Sequence, residues 1–251
     1  MNKLSLFRRT PVEDRLKRFH GEDWHKPKGR IIRDIVYALD TGLITMVAFM
    51  AGVSVFLPET RQVILAGMAN AFSGMLAIFF GAFISTKAQR DFFENQIERE
   101  RQELETMPEK ECEEVREILM DMGFSEEEAE VGVVRITSNK ETWLKFMIQE
   151  EIGLVPGTTD DPLEIGLISA GSFLVGVLPA FMPFALGLPV RLALPLAAVL
   201  VILFLFGVGV WKTRVTKVHW LESGLETMVI GLVSCGVGLA LGRVANLLIE
   251  R

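Results

Sequence analysis

The sequence predicts an all-α membrane protein, with five transmembrane helices and a helical, acidic cytoplasmic domain between the second and the third. Three observations carry this. Half of the 251 residues are hydrophobic, and they cluster in windows of the length a bilayer demands. Acidic residues outnumber basic ones, 32 to 26, and the excess is concentrated in one stretch, Lys87 to Glu164, that divides those windows. That stretch is rich in strong helix formers and punctuated by a few Pro and Gly residues.

A spanning helix needs about 20 mostly apolar residues. The windows Ile35–Leu57, Val63–Ile84, Ile165–Leu186, Leu192–Trp211 and Leu225–Leu248 each meet that length. The third and fourth together are too long for a single pass, so they count separately. Pro179 and Pro183 are expected to kink the third. Glycines in the second, third and fifth allow close helix contact.

Lys and Arg near the spans set orientation. The N-terminal arm, residues 1–33, carries Lys3, Arg8, Arg9, Arg15, Lys17, Arg18, Lys26, Lys28, Arg30 and Arg33. The link after span one has only Arg61, and the turn after span three only Arg191. The link after span four carries Lys212, Arg214 and Lys217. The arm, the acidic domain and the last link therefore face the cytoplasm, and the C-terminus lies outside or in a lumen. The arm has no apolar core of signal-peptide length. Around Phe19 and Trp24 it either lies on anionic headgroups or is a solvated tail. His20 and His25 are five apart, off helical pairing. The resulting domains are 1–33, spans one and two at 34–86, the acidic domain at 87–163, and spans three to five at 164–251.

In the acidic domain, Lys87 to Met107 continues span two as helix. Pro108 opens a second helix and Gly123 closes it. Ser125 with Glu128 is a capping-box pattern that starts a third. A fourth begins near Asn139 and stops at Gly153. Leu104, Val115, Ile118, Leu119, Met122, Phe124, Val134, Trp143 and Phe146 are the expected small core.

Glu100 and Glu103 share a face of the first of these helices, and Glu111 and Glu114 a face of the second, because a spacing of three aligns side chains. Such pairs either offer oxygens to a divalent cation or form a solvated acidic face beside Arg99, Arg101, Lys110 and Arg116. Met147, Glu150 and Glu151 follow just before the chain re-enters the membrane. A thioether there tilts a site toward late first-row metals, although Met is more often core. Cys112 and Cys235 lie in unlike surroundings and predict no disulfide. Within the spans, Asp40 is the one acidic residue well inside an apolar window, and intramembrane carboxylates are functional candidates. Asp34 sits at the entrance of span one. Arg243 lies deep in the last span, where it pairs with a carboxylate or snorkels.

Several motifs occur in order across the spans: Arg33-Asp34-Ile35-Val36 with Gly42-Leu43-Ile44-Thr45, Leu65-Ala66-Gly67-Met68-Ala69-Asn70, Ser85-Thr86-Lys87-Ala88, Glu150-Glu151-Ile152-Gly153-Leu154 and Leu178-Pro179-Ala180-Phe181-Met182-Pro183. With these the chain resembles the vacuolar iron transporter family. The resemblance implies a homodimer that moves ferrous iron, and often manganese, out of the cytoplasm in exchange for protons. Zinc is a further candidate ion. The family gathers metal on glutamates and a methionine, and the matching positions are Glu100, Glu103, Glu111, Glu114, Met147 and Glu151, with Glu150 beside them. Divalent metal and membrane lipid are the implied partners. No prosthetic group, nucleic acid or catalytic residue is implied.

The membrane path departs from the family pattern. Family members have Asp immediately before the glycine matching Gly42, where this chain has Thr41, with Asp40 one place earlier. One residue is about 100° around a helix. Span two carries Ile78 and Ala82 where a methionine and a glutamate are usual, and Met75 lies one turn before Ile78. The path candidates are thus Asp40, Thr41, Asp34 and Met75. The membrane is a plasma membrane in a prokaryote, or a vacuolar-type one in a eukaryote. A di-iron enzyme would need Glu-x-x-His pairs, and the acidic domain holds no His. The alternative reading is a membrane-anchored metal sensor or buffer that does not transport.

Overall fold

The computed structural model describes residues 28–153 and 160–249. The expectations placed on the basic arm, including His20, Phe19, Trp24 and His25, lie outside the described residues. Eight α-helices and no strand are found among the described residues: α1 Lys28–Val53, α2 Thr60–Thr106, α3 Pro108–Asp121, α4 Glu126–Thr137, α5 Lys140–Glu150, α6 Pro162–Ala185, α7 Val190–Thr216 and α8 Trp220–Ile249. Five are long and apolar enough to cross a membrane: α1, α2, α6, α7 and α8. Each contains most or all of one of the five predicted windows. The chain divides into two compact units. One contains residues 85–161, and the other residues 28–84 and 162–249.

In the apolar unit, helices cannot be driven together by hydrophobicity alone, since lipid is equally apolar, so close packing decides. Small residues supply it. A Cβ on Gly42 of α1 would stand 3.2 Å from the Gly176 backbone of α6. One on Gly242 of α8 would stand 2.9 Å from the Gly52 Cα of α1. Leu43, Met46, Val47 and Met50 of α1 fill the core against Phe173, Val177 and Phe184 of α6 and Ala197, Val201 and Leu205 of α7. Pro179 and Pro183 are buried within α6, and the helix runs through both to Ala185. Gly187 at φ 75° turns the chain into α7.

The acidic unit is built from the C-terminal half of α2 with α3, α4 and α5. Its boundaries are set locally. Pro108 opens α3, Gly123 takes φ 96° behind it, and Ser125 and Glu128 form the reciprocal capping box of α4. Asn139 caps α5 by accepting from the amides of Glu141 and Thr142. Its core is Ile97, Leu104, Val115, Leu119, Ala129, Val133, Trp143, Leu144, Met147 and Ile148, with Ile118 and Phe146 partly buried beside it. Met122, Phe124 and Val134, expected inside, are exposed. The turn at Gly123 carries Met122 and Phe124 to the tip of the α3–α4 hairpin. Ala129 and Val133, four apart, take the inward face of α4, which turns Val134 about 100° away.

Candidate functional site

Three carboxylates of the acidic unit come together, two from α2 and α3 and one from the C-cap of α5. Glu100 lies on the α2 face that also carries Ile97 and Leu104, three before and four after it. Glu111 begins the α3 stripe that continues through Val115 and Leu119. Glu151 caps the C-terminus of α5, its amide bonded to the Met147 carbonyl at 2.9 Å. One oxygen from each carboxylate lies within 4.8 Å of the other two. Glu100 is 3% exposed and Glu111 1%, while Glu151 stands on the open side. Glu100 Oε1 and both Glu111 oxygens have no hydrogen-bond donor.

Buried carboxylates without donors are costly, and three together repel one another. Only protons or a cation relieve this. Burial, followed by the charges of Glu151 and Glu111, pushes the pKa of Glu100 up to about 8. Burial and then the Glu114 charge also raise the pKa values of Glu111 and Glu151. Such a group of oxygens suits a divalent cation with little preference for softness.

The structure groups these residues differently from the sequence pairing. Glu103 and Glu114 do not join the group of three. Arg99 holds Glu103 at 3.0 Å, and Lys110 holds Glu114 at 2.8 Å. Both still add negative potential to the group. Glu150 is exposed. Met147 is fully buried in the apolar core, next in sequence to Ile148 and one turn after Trp143. Convergence from three separate helices is a tertiary feature, and no spacing within one helix carries it.

In the apolar unit, Asp34 is engaged by Arg33 at 3.0 Å. The Thr41 hydroxyl donates to the Tyr37 carbonyl at 2.6 Å, and Thr45 donates to the Thr41 carbonyl. Asp40 Oδ1 is buried without a hydrogen-bond partner, so neither Thr45 nor Arg243 satisfies it. Arg243 is exposed. Met75 and Ile78 pack against the core of this unit. Sequence reasoning gave Lys212 only an orientational role, yet its amine lies 3.8 Å from the Glu226 carboxylate of α8. Its position one residue after Trp211, at the end of an apolar window, was the available signal.

The sequence matches the model of the VIT family over residues 32–243. The chain belongs to this family. It is 29% identical over 228 residues to vacuolar iron transporter 1 of Arabidopsis thaliana, covering 90% of this chain and 91% of that protein. It is 28% identical over 223 residues to vacuolar iron transporter 2 of Oryza sativa subsp. japonica, covering 87% and 89% respectively. With the vacuolar iron transporter of Plasmodium falciparum it shares 29% over 232 residues, 89% of this chain and 85% of that one. The resemblance drawn from the motifs is thereby borne out. These VIT relatives are named as transporters, not enzymes.

Proposed function

We propose that this chain is a membrane transporter that moves ferrous iron, and manganese, out of the cytoplasm in exchange for protons. The observation that carries the reading is the convergence of Glu100, Glu111 and Glu151 with three buried, donorless oxygens. In this reading the acidic unit is cytoplasmic and gathers the ion. Glu103 and Glu114 strengthen its field, and Met147 and Glu150 border the site. Asp40 then carries the ion, or the exchanged proton, through the membrane, with Asp34 at the entrance and Thr41 and Met75 along the path. The N-terminus faces the cytoplasm and the C-terminus the far side, and the working unit is a homodimer. The membrane is vacuolar in type for a eukaryotic chain and the plasma membrane for a prokaryotic one.

Ile78 and Ala82, where relatives by resemblance carry a methionine and a glutamate, favour a second reading, a metal buffer that binds without transport. Uptake of ferrous iron, manganese or zinc into sealed liposomes separates the two. Metal accumulation inside, with protons appearing outside, supports the transporter. Saturable binding with no accumulation supports the buffer.

A further inference from the structure

We propose that the apolar unit carries a binding slot for one anionic phospholipid, with an acyl chain in the cavity between α1, α6 and α7 and the phosphate on basic residues at the end of α7.

The slot is built from aliphatic side chains and one bare stretch of backbone. Ile35 and Leu39 of α1, Val175 of α6 and a stripe of α7 from Leu203 to Trp211 line a cavity of about 580 Å³. No lining residue carries a charge or a hydroxyl. Gly207 forms part of the wall, and a Cβ on it would meet open space. Its neighbour Gly209 is used differently, since a Cβ there would stand 2.8 Å from Gly224 Cα of α8. The missing side chain at Gly209 therefore serves a helix crossing, whereas the one at Gly207 leaves room in the cavity. Val175, Leu203 and Trp211 are exposed, so the slot opens sideways. The three helices that form it are each long and apolar enough to cross a membrane, and the opening therefore faces hydrocarbon.

Length and charge select the occupant. Leu203 to Trp211 is eight residues, a rise of about 12 Å, close to the ~15 Å of hydrocarbon in one leaflet. Trp211 stands at the end of the apolar run of α7, where amphipathic rings mark the membrane interface. Arg214 follows Gly207 by seven residues, which places it within about 20° of the same face of α7 and about 5 Å beyond Trp211. Arg214 and the cap residue Lys217 are both exposed. Lys212, between them and the slot, lies 3.8 Å from Glu226 and shares its charge with that carboxylate. A guanidinium binds phosphate oxygens through two parallel hydrogen bonds, and basic residues at this depth attract anionic headgroups. An apolar tail in the slot thus brings a negative head to Arg214.

The test is native mass spectrometry of the full chain in detergent, titrated with phosphatidylglycerol or with phosphatidylcholine of the same acyl chains. Wild type is expected to retain one phosphatidylglycerol per chain and to bind phosphatidylcholine about fivefold more weakly. Arg214→Gln should bring the two lipids within about twofold of each other. Gly207→Phe fills the slot without touching a helix crossing, and should weaken binding of both lipids by at least about tenfold. If that variant is not monodisperse, Gly207→Leu takes its place. In wild type, phosphatidylglycerol brominated on its acyl chains should quench tryptophan emission saturably, and Trp211→Phe should lose that component. Unchanged lipid binding in the Gly207 variant, or no saturable quenching in wild type, would overturn the slot. Equal affinity of wild type for the two lipids would overturn the assignment of an anionic headgroup. A change of oligomeric mass in the Gly207 variant would also overturn the proposal, because the cavity would then be an interface between copies of this chain.

Discussion

Glu100 has almost no access to water and two carboxylates for neighbours, so under the proposed function a proton and a divalent ion would compete for its oxygens. Its pKa of about 8 in the fold, against 4.5 for an ordinary Glu, means that the folded chain holds an extra proton between those values. Without metal, stability therefore falls as pH rises from 4.5 toward 8. Metal affinity runs the other way. It is expected to rise by up to about tenfold per pH unit below 8 and to level off above it, because each bound ion must displace that proton. Calorimetry in buffers of different ionisation enthalpy would register the released proton, and equal affinities at pH 6 and 8 would contradict the assignment. Replacing Glu100, Glu111 and Glu151 together by Gln should weaken binding by at least about a hundredfold while raising the metal-free melting temperature, because buried like charges disappear. Glu103→Gln and Glu114→Gln act only through the field and should cost no more than about tenfold. Asp40→Asn should abolish flux and leave binding at the carboxylates of the acidic unit unchanged, as measured by calorimetry in detergent.

The helices of the acidic unit owe their ends to a few residues. Ser125→Ala removes one half of a reciprocal cap, and about 1 kcal/mol of local stability should go with it. Circular dichroism of the variant should show the melt displaced downward by a few degrees, with metal binding retained. In the apolar unit, Gly42→Leu should prevent monodisperse purification, because the obstructing atoms belong to the α6 backbone and cannot swing aside. Such ends were legible in the sequence because Pro108, Gly123, Ser125 and Asn139 act on their immediate neighbours. The five spans were legible because bilayer thickness leaves little choice of length. Which face each short helix buries was not. Val134 and Val133 are equally apolar, and only contact with the rest of the unit selects Val133. Likewise Glu100 and Glu103 look alike in sequence, but only Glu100 shares a face with Ile97 and Leu104.

For the whole molecule, the apolar half of α2 is the least buried of the five long apolar helices. Leu65, Phe72, Leu76 and Phe80 are exposed, and so are Ala69, Ser73, Ala77 and Gly81, spaced by four. Small residues at that interval let a second helix approach closely, and two-fold pairing is the commonest oligomeric solution. Mass measurement in detergent is expected to give a dimer. Gly81→Leu should shift it to monomer, whereas Gly171→Leu should not, although both positions are open in the single chain. A monomer for the wild type at micromolar concentration would rule out the pairing.

The two prolines of α6 have a mechanical consequence. Pro179 has no amide to offer the Val175 carbonyl, and Pro183 none to offer that of Pro179, so two rungs are missing from successive turns. Bending stiffness is therefore lowest in the C-terminal third of α6, while the turns around Gly176 are clamped by α1. Strain entering this unit would be absorbed as flexure near Pro179 and Pro183, like a leaf spring fixed at one end, and the Gly42–Gly176 crossing would remain its fixed support.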